Sequence, residues 1–411
     1  MKTLKKIVVL MTGFFLIMAC KQEIPLVSLG IDDYYYIYRM QKLELSSAFT
    51  GEAYRWTIKT ENGEDSLVST EQRYIFLTSE EKTFEFTFEL IDPVAPYKHK
   101  FQVTTFHEEV EYSPYLSKVY EFRPAPGQFV NELPAYEKGD TEKEMCKKVE
   151  ECISGKNEVL VSLGGYGGYV TFGFDHTVIN VKGKKDFAIY GNAFYSDVSD
   201  YDNAKGGSSE PGIVMVSYDW NMNGKPDDDW YELAGSEYHK MTTTKGYKIT
   251  YHRPDTLKKP VTDASGTLTD VEYIPWKDNR GATGYVSKNM YHKQYYYPKW
   301  ITSDEMTFEG TRLPDNAIDE SGFGAYWVLY SFDWGYVDNK PNSDENANSF
   351  DIDWAVDKNG NPVHLPGVDF IRVYTGVNQY CGWLGETSTE ISKARDLHIP
   401  LSSSVIPDPF P

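Results

Sequence analysis

The chain has 411 residues, long enough for two or three domains, and 40% hydrophobic with 25% charged residues is an ordinary globular balance. A net charge of −20, three units more negative once Lys2, Lys5 and Lys6 are removed, excludes a phosphate-tracking nucleic-acid binder, which needs a basic stripe. The 32 Tyr, 21 Phe and 9 Trp favour strands and ring-binding surfaces.

Residues 1–19 read as a signal segment. Lys2, Lys5 and Lys6 form a basic start, and the apolar run over residues 7–18 is too short to span a bilayer comfortably. It ends Leu16-Ile17-Met18-Ala19-Cys20. This resembles a bacterial lipobox, which implies cleavage before Cys20, lipidation of its thiol, and attachment to the outer membrane by lipid, facing the cell exterior.

Residues 20–123 read as an Ig-like or PKD-like β-sandwich. Residues 83–90, Thr-Phe-Glu-Phe-Thr-Phe-Glu-Leu, alternate strictly and place Phe84, Phe86, Phe88 and Leu90 on one buried face. Trp56 marks a central strand, and Asn62-Gly63 a turn. Residues 123–127, Arg-Pro-Ala-Pro-Gly, read as a stiff linker within a joining segment, 124–157. That segment carries one helix over residues 140–154, with Thr141 and Glu144 as a capping box, Gly155 at its end, and Met145, Val149 and Cys152 on the buried stripe. Cys146 and Cys152 are separated by about 9 Å of helical rise, beyond the ~7 Å reach of a disulfide, so buried thiols are expected.

Residues 158–411 read as a large jelly-roll-like β-sandwich with long loops, so the fold class is all-β. Strands are expected within 158–163, 169–174, 187–190, 212–218, 247–251, 325–330 and 370–374. Polar loops are expected over 196–210 and 255–311. The Gly164-Gly165-Tyr166-Gly167-Gly168 run has no Lys-Ser/Thr and opens no helix, so it reads as a tight β-connection rather than a phosphate cradle.

Residues 219–232 carry the clearest ligand pattern. Asp219, Asn221 and Asn223 alternate ahead of Gly224, the Lys225 carbonyl follows, and Asp227 and Asp228 supply carboxylates. Hard oxygen donors at this spacing suit a structural calcium ion. Trp230 stands where a calcium loop usually has its bidentate acid, and the same residues would also make a polar turn. A second acidic run, 350–357, reads as a strand with Asp351, Asp353 and Asp357 on a solvated face opposite Phe350, Ile352, Trp354 and Val356.

Catalytic patterns are missing: no His-x-x-x-His or His-Glu-x-x-His spacing and no Gly-x-Ser-x-Gly elbow is present, so a non-enzyme is expected. Two carboxylates would suffice for a surface glycoside hydrolase, which stays open as the alternative of a different class. Ligand contact is expected from aromatic loops: Tyr291, His292, Tyr295, Tyr297 and Trp300 in one, and Trp383 in another.

Several longer stretches carry a resemblance. Gly191-Asn192-Ala193-Phe194, the run 210–217, the 219 loop with Trp230-Tyr231-Glu232-Leu233-Ala234-Gly235-Ser236-Glu237, residues 365–370 and residues 385–391 resemble the PKD-like cell-surface lipoproteins that accompany TonB-dependent corrinoid transporters. The resemblance implies capture of cobalamin at the outer surface and handover to such a transporter. A glycan-binding lipoprotein of a polysaccharide-uptake system is the alternative.

Overall fold

The computed structural model describes residues 29–401 apart from 202 and 203. The signal segment and Cys20 therefore lie outside the described residues. The fold is all-β, and Glu142–Ile153 is the one α-helix among the described residues. The chain divides into two compact units, one holding 44–74 and 84–103 together with residues up to 35, the other 36–43, 75–83 and 104 onward.

The first unit is built on the expected alternation. The Thr83–Ile91 strand pairs with Ala53–Lys59, which pairs in turn with Asp65–Ser69. Phe84, Phe86, Phe88 and Leu90 are all buried, as a period of two requires. Trp56 is fully buried, with its ring 4.3 Å from that of Phe88. Its indole N–H donates to the Glu71 carbonyl at 2.8 Å, so the one polar atom of the core ring is satisfied.

The second unit is organised by a six-stranded sheet. Its order is Ala355–Val356, Tyr231–Leu233, Gly212–Ser217, Phe370–Thr375, Tyr169–Gly173, Lys118–Arg123. A four-stranded sheet, Thr283–Asn289, Leu268–Asp278, Thr244–His252, Glu305–Arg312, packs its inner face against it. Tyr247, Ile249 and Tyr251 point inward from alternate positions, and the Tyr374 hydroxyl accepts the Thr311 N–H at 2.9 Å across the interface. A further four-stranded sheet runs Phe194–Tyr201, Ala204–Ser208, Trp327–Tyr330, Ala317–Asp319.

Three expectations change here. Residues 123–127 are no linker: Lys118–Arg123 is an edge strand of the six-stranded sheet, and residues 124–128 are buried. The prolines at 124 and 126 instead fix the path of a buried segment and add no N–H of their own, while Ala125 and Gly127 donate to the Leu163 and Tyr296 carbonyls. The polar stretches 196–210 and 255–311 hold five strands, including the eleven-residue Leu268–Asp278. Their outward faces are polar, which hides the alternation. The 350–357 run is not one strand, because Ile352–Trp354 forms a 3-10 turn with the Asp351 carboxylate accepting the Asp353 N–H.

The helix keeps its capping box between Thr141 and Glu144, and its buried stripe is Met145, Val149 and Ile153. Cys152 is only half-buried, because Ile153 takes the inward position instead. Cys146, Cys152 and Cys381 are free thiols, and burial pushes Cys146 up to about 11 and Cys381 up to about 12. The glycine run is a tight β-connection: a side chain at Gly168 would lie 1.9 Å from the Leu163 carbonyl oxygen.

Candidate functional site

Residues 381–387 form a wall between two clefts of the second unit. It starts at the buried Cys381 and turns through the short helix Gly382–Leu384. Two positive φ angles shape it, 56° at Gly382 and 97° at Gly385. Each is also a close approach. A Cβ on Gly382 would lie 2.4 Å from the Trp327 indole nitrogen, and one on Gly385 would lie 2.7 Å from the Gln128 side-chain oxygen.

Gln128 and Asn289 tie the wall down. The Gln128 side-chain amide donates to the Leu384 carbonyl at 2.9 Å, and its backbone N–H donates to Glu386 at 2.6 Å. The Asn289 amide donates to the Gln128 side chain at 3.0 Å and to the Trp383 carbonyl at 3.2 Å. The Asn289 carbonyl oxygen accepts the N–H groups of Tyr291 at 3.1 Å and His292 at 2.8 Å. Both amides are buried and saturated, so they position what surrounds them.

What surrounds them is three edge-on ring pairs. Tyr291 lies edge-on to Trp383 at 5.8 Å, and Trp383 donates to the Ala325 carbonyl at 3.2 Å. His292 lies edge-on to Phe129 at 4.6 Å, and Trp327 edge-on to Tyr380 at 5.6 Å. Phe129, Phe194, Tyr326 and Trp327 line a cleft of about 380 Å³ on one side of the wall. Tyr285 and Tyr380 line one of about 450 Å³ on the other. Tyr291 and Tyr380 are more than 60% exposed and Phe194 is 58% exposed, far beyond what rings kept for packing show.

The expected ligand residues therefore divide. Tyr291, His292 and Trp383 belong to this face. Tyr297 and Trp300 do not, because they are buried in the main core. Trp300 stacks on Phe122 at 5.9 Å and Tyr136 at 6.2 Å. Asn131 draws this segment inward by donating to the Tyr295 carbonyl at 2.6 Å and accepting the Lys299 N–H at 3.0 Å. Tyr295 is half-buried against the same core. The ring clustering in the sequence mixes a core anchor with a surface edge. Tyr380 stands beside Trp383 in the second aromatic loop; Phe194 and the Tyr326-Trp327 pair were missed because they come from two other segments that only the fold brings to this face.

The 219 loop brings its predicted donors together. The Asp219 carboxylate accepts the N–H groups of Asn223 at 3.1 Å and Gly224 at 2.8 Å. The amides of Asn221 and Asn223 donate to Asp227, and Asn221 also donates to Asp228 at 3.1 Å. The Lys225 carbonyl accepts the Asp227 N–H at 2.9 Å. Hydrogen bonds from Asn221 and Asn223 hold Asp227 below the usual carboxylate range, whereas burial and the nearby charges of Asp219 and Asp227 raise Asp228. In place of a twelfth-position acid, Trp230 packs under the Arg372 guanidinium at 4.3 Å.

A second acidic group was not foreseen. Glu210, Asp338 and Glu390 each place a carboxylate oxygen within 4.8 Å of the others. Asp338 is fully buried at φ 54°, and it accepts N–H groups from Asn192 at 2.7 Å, Ala193 at 2.8 Å and Glu390 at 3.0 Å. Gly191 makes room, since a side chain there would lie 2.2 Å from the Asp338 carboxylate. Ser388 donates its N–H to Glu210 at 3.1 Å and its hydroxyl to Glu390 at 2.8 Å. Burial and mutual repulsion raise Glu210 and Glu390, and burial raises Asp338 against its three hydrogen bonds. Chemically the three are hard oxygen donors, but three adjacent carboxylates cannot all ionise in a buried volume without a counter-charge. Either a bound proton or a cation would supply that compensation, and burial favours the protonated form in the empty cluster. Glu386 in the wall is likewise pushed up to about 8 by burial.

No family model matches the chain, and no curated protein matches it. Among solved structures it is similar to the SusE-like protein BT2857, at 9% identity and a TM-score of 0.24, over 88% of this chain and 95% of that one. A second likeness is to a structure titled for the promiscuous specificity of carbohydrate-binding modules of the β-sandwich superfamily, at 8% identity and a TM-score of 0.14, over 87% and 91% of the two chains. At such TM-scores neither likeness carries an argument. No helix among the described residues is long and apolar enough to cross a membrane.

Proposed function

We propose that the protein is a lipid-anchored binding protein of the outer cell surface. It captures a large, flat, ringed ligand of the corrinoid class for a TonB-dependent transporter, without chemical turnover. The observation that carries this reading is the gathering of rings around the wall at residues 381–387: Tyr285, Tyr291, Tyr380 and Phe194 exposed, with the half-buried Trp327 and Trp383 edge-on to Tyr380 and Tyr291. A corrin is a broad apolar plate rimmed by amides. It needs a wide aromatic floor with polar groups at its edge rather than a deep narrow pocket. Asn378 carries an amide in the adjoining cleft, and the resemblance noted in the sequence points to the same ligand class. The 219 loop serves this reading as a structural calcium site that braces the six-stranded sheet between Gly212–Ser217 and Tyr231–Leu233.

Titration calorimetry with cyanocobalamin tests the proposal. Binding is expected, and replacing Trp327 and Trp383 together by Ala is expected to weaken it at least tenfold, about 1.4 kcal/mol. Absence of heat with cyanocobalamin, alongside binding to an oligosaccharide, would replace this ligand with a glycan. Hydrolysis of that oligosaccharide would make the protein an enzyme instead.

A further inference from the structure

The cleft on the Trp327 side of the wall joins aromatic rings to carboxyl groups. Phe194 opposes Ser208 on the paired strand, Trp327 opens the next strand of the same sheet with Tyr326 just ahead of it, and Phe129 comes from outside that sheet. Phe194 is 58% and Tyr326 41% exposed, so both keep ring surface that a ligand can reach. Phe129 and Trp327 are half-buried. Glu210 lines the same cleft and is also half-buried rather than sealed, accepting the Ser388 N–H at 3.1 Å and the Ser208 hydroxyl at 3.3 Å.

The described lining holds no lysine, arginine or histidine, so nothing in it would hold an anion. Asp338 and Glu390 crowd Glu210, Glu386 adds repulsion, and the empty cleft offers no counter-charge. A ligand bringing positive charge supplies one, and Glu210 can then ionise against it. A bare metal ion would use the carboxyls and leave the four rings without a part. A neutral apolar molecule would use the rings and leave the acids uncompensated. An organic cation uses both, because the face of an aromatic ring attracts positive charge spread over alkyl groups. Ligand pockets begin at about 300 Å³, so a cleft of about 380 Å³ takes one small molecule and is too small for a corrin plate.

We infer that this cleft binds a small organic ammonium ion, with Phe194, Tyr326 and Trp327 against its alkyl groups and Glu210 as its counter-ion. Such a ligand needs no corrinoid on the neighbouring rings, so the two readings fail separately.

The test titrates choline and dimethylbutanol, its uncharged carbon analogue, into the full chain by calorimetry. Choline is expected to bind at least tenfold more tightly, since the two share shape and apolar area and differ in charge. Glu210→Gln keeps an acceptor for the Ser388 N–H and the neutral state of the empty cleft, so its melting temperature is expected to hold. It should weaken choline at least tenfold and leave dimethylbutanol unchanged. Replacing Phe194 and Tyr326 together by Leu keeps apolar bulk at two exposed positions and should weaken choline alone. Equal affinity for the two probes, or choline binding unchanged in Glu210→Gln, overturns the cation. No binding of choline overturns the site. Heat from choline with none from cyanocobalamin supports this cleft and removes the corrinoid reading, and the reverse result removes the cleft alone.

Discussion

The molecule carries two acidic centres that obey opposite rules. The 219 loop gathers its carboxylates from one stretch of ten residues, with Asp219 buried at its base, Asp227 exposed, and the amides of Asn221 and Asn223 standing among them as donors. The group at Glu210, Asp338 and Glu390 comes from segments up to 180 residues apart and sits in the interior, fed by backbone N–H groups. In the first, the amides of Asn221 and Asn223 hold Asp227 low, while burial and its neighbours raise only Asp228. In the second, burial drives them toward the protonated form. Acidity in a sequence is therefore no guide to charge in a fold. What decides it is the solvation each carboxylate keeps.

The comparison breaks most decisively at Asp338. Asp338→Ala strands three buried N–H groups at once, at about 1–3 kcal/mol each. A loss of about 3–5 kcal/mol is expected by urea denaturation, whereas Asp219→Ala at the surface loop should cost about 1–2 kcal/mol without added ions. Equal losses at the two sites would remove the distinction. Asp338→Asn retains an acceptor oxygen and should cost markedly less than the alanine change.

The pH dependence is the next largest effect. Glu210, Asp338, Glu386 and Glu390 are all raised in the folded chain, so between the unfolded carboxylate range near 4 and their folded values the native state binds more protons than the unfolded state. Stability must therefore fall as pH rises through that window. His176 adds in the same direction at higher pH. Burial opposes its charge, but the hydrogen bonds its ring donates to Asp175 and Asp396 outweigh that and hold it at about 9, so its contribution is full below pH 6.5 and lost as pH rises through about 9. A melting temperature that climbs from pH 5 to pH 8 would mean that the buried acids are ionised and compensated some other way. Glu390→Gln should flatten the acid part of the profile and leave the His176 part unchanged.

Chelation addresses the other centre. If the 219 loop holds calcium, an ion at a hundred times its dissociation constant stabilises the fold by about 2.7 kcal/mol. Chelator should then lower the melting temperature by several degrees, and Asp219→Ala should abolish the difference. An unchanged melting temperature in wild type would assign the loop to its own hydrogen bonds alone.

These contrasts also mark how much could be read from the chain. Strand alternation was legible wherever one face was wholly apolar, as from Phe84 to Leu90. It was hidden in Leu268–Asp278, where the buried Asp270 and the half-buried Glu272 stand in step with Leu268 and Ile274, and Pro275 sits within the strand. The capping box at Thr141 and the donors of the 219 loop were legible because their partners lie within ten residues. The buried acids and most of the aromatic face were not, since only the folded sheets bring their segments together. Yet the parts were in view. Gly191, Glu210, Glu386 and Glu390 all fall in the stretches that carry the family resemblance, and these turn motifs build the buried acids and the wall beside them. Tyr297 and Trp300 misled for the converse reason: a dense run of rings signals burial as readily as binding, and Asn131, far away in sequence, decides between the two.

The smallest expected effect is also the one whose sign decides most. Asn221→Asp places a third carboxylate beside Asp227 and Asp228 and removes the amide that donates to both. In a loop that is only a turn, this change exchanges two hydrogen bonds for repulsion, and stability should drop by about 0.5–1 kcal/mol whether or not calcium is present. In a calcium loop the same change adds a charged oxygen at the third ligand position, where extra ligand charge raises affinity. Stability in chelator should then fall by the same small amount, while stability in calcium should rise above that of wild type. Thermal melts of the two proteins with and without calcium therefore give a crossing in one case and a parallel offset in the other. A parallel offset would remove the cation from the first acidic centre and leave both centres held together by hydrogen bonds.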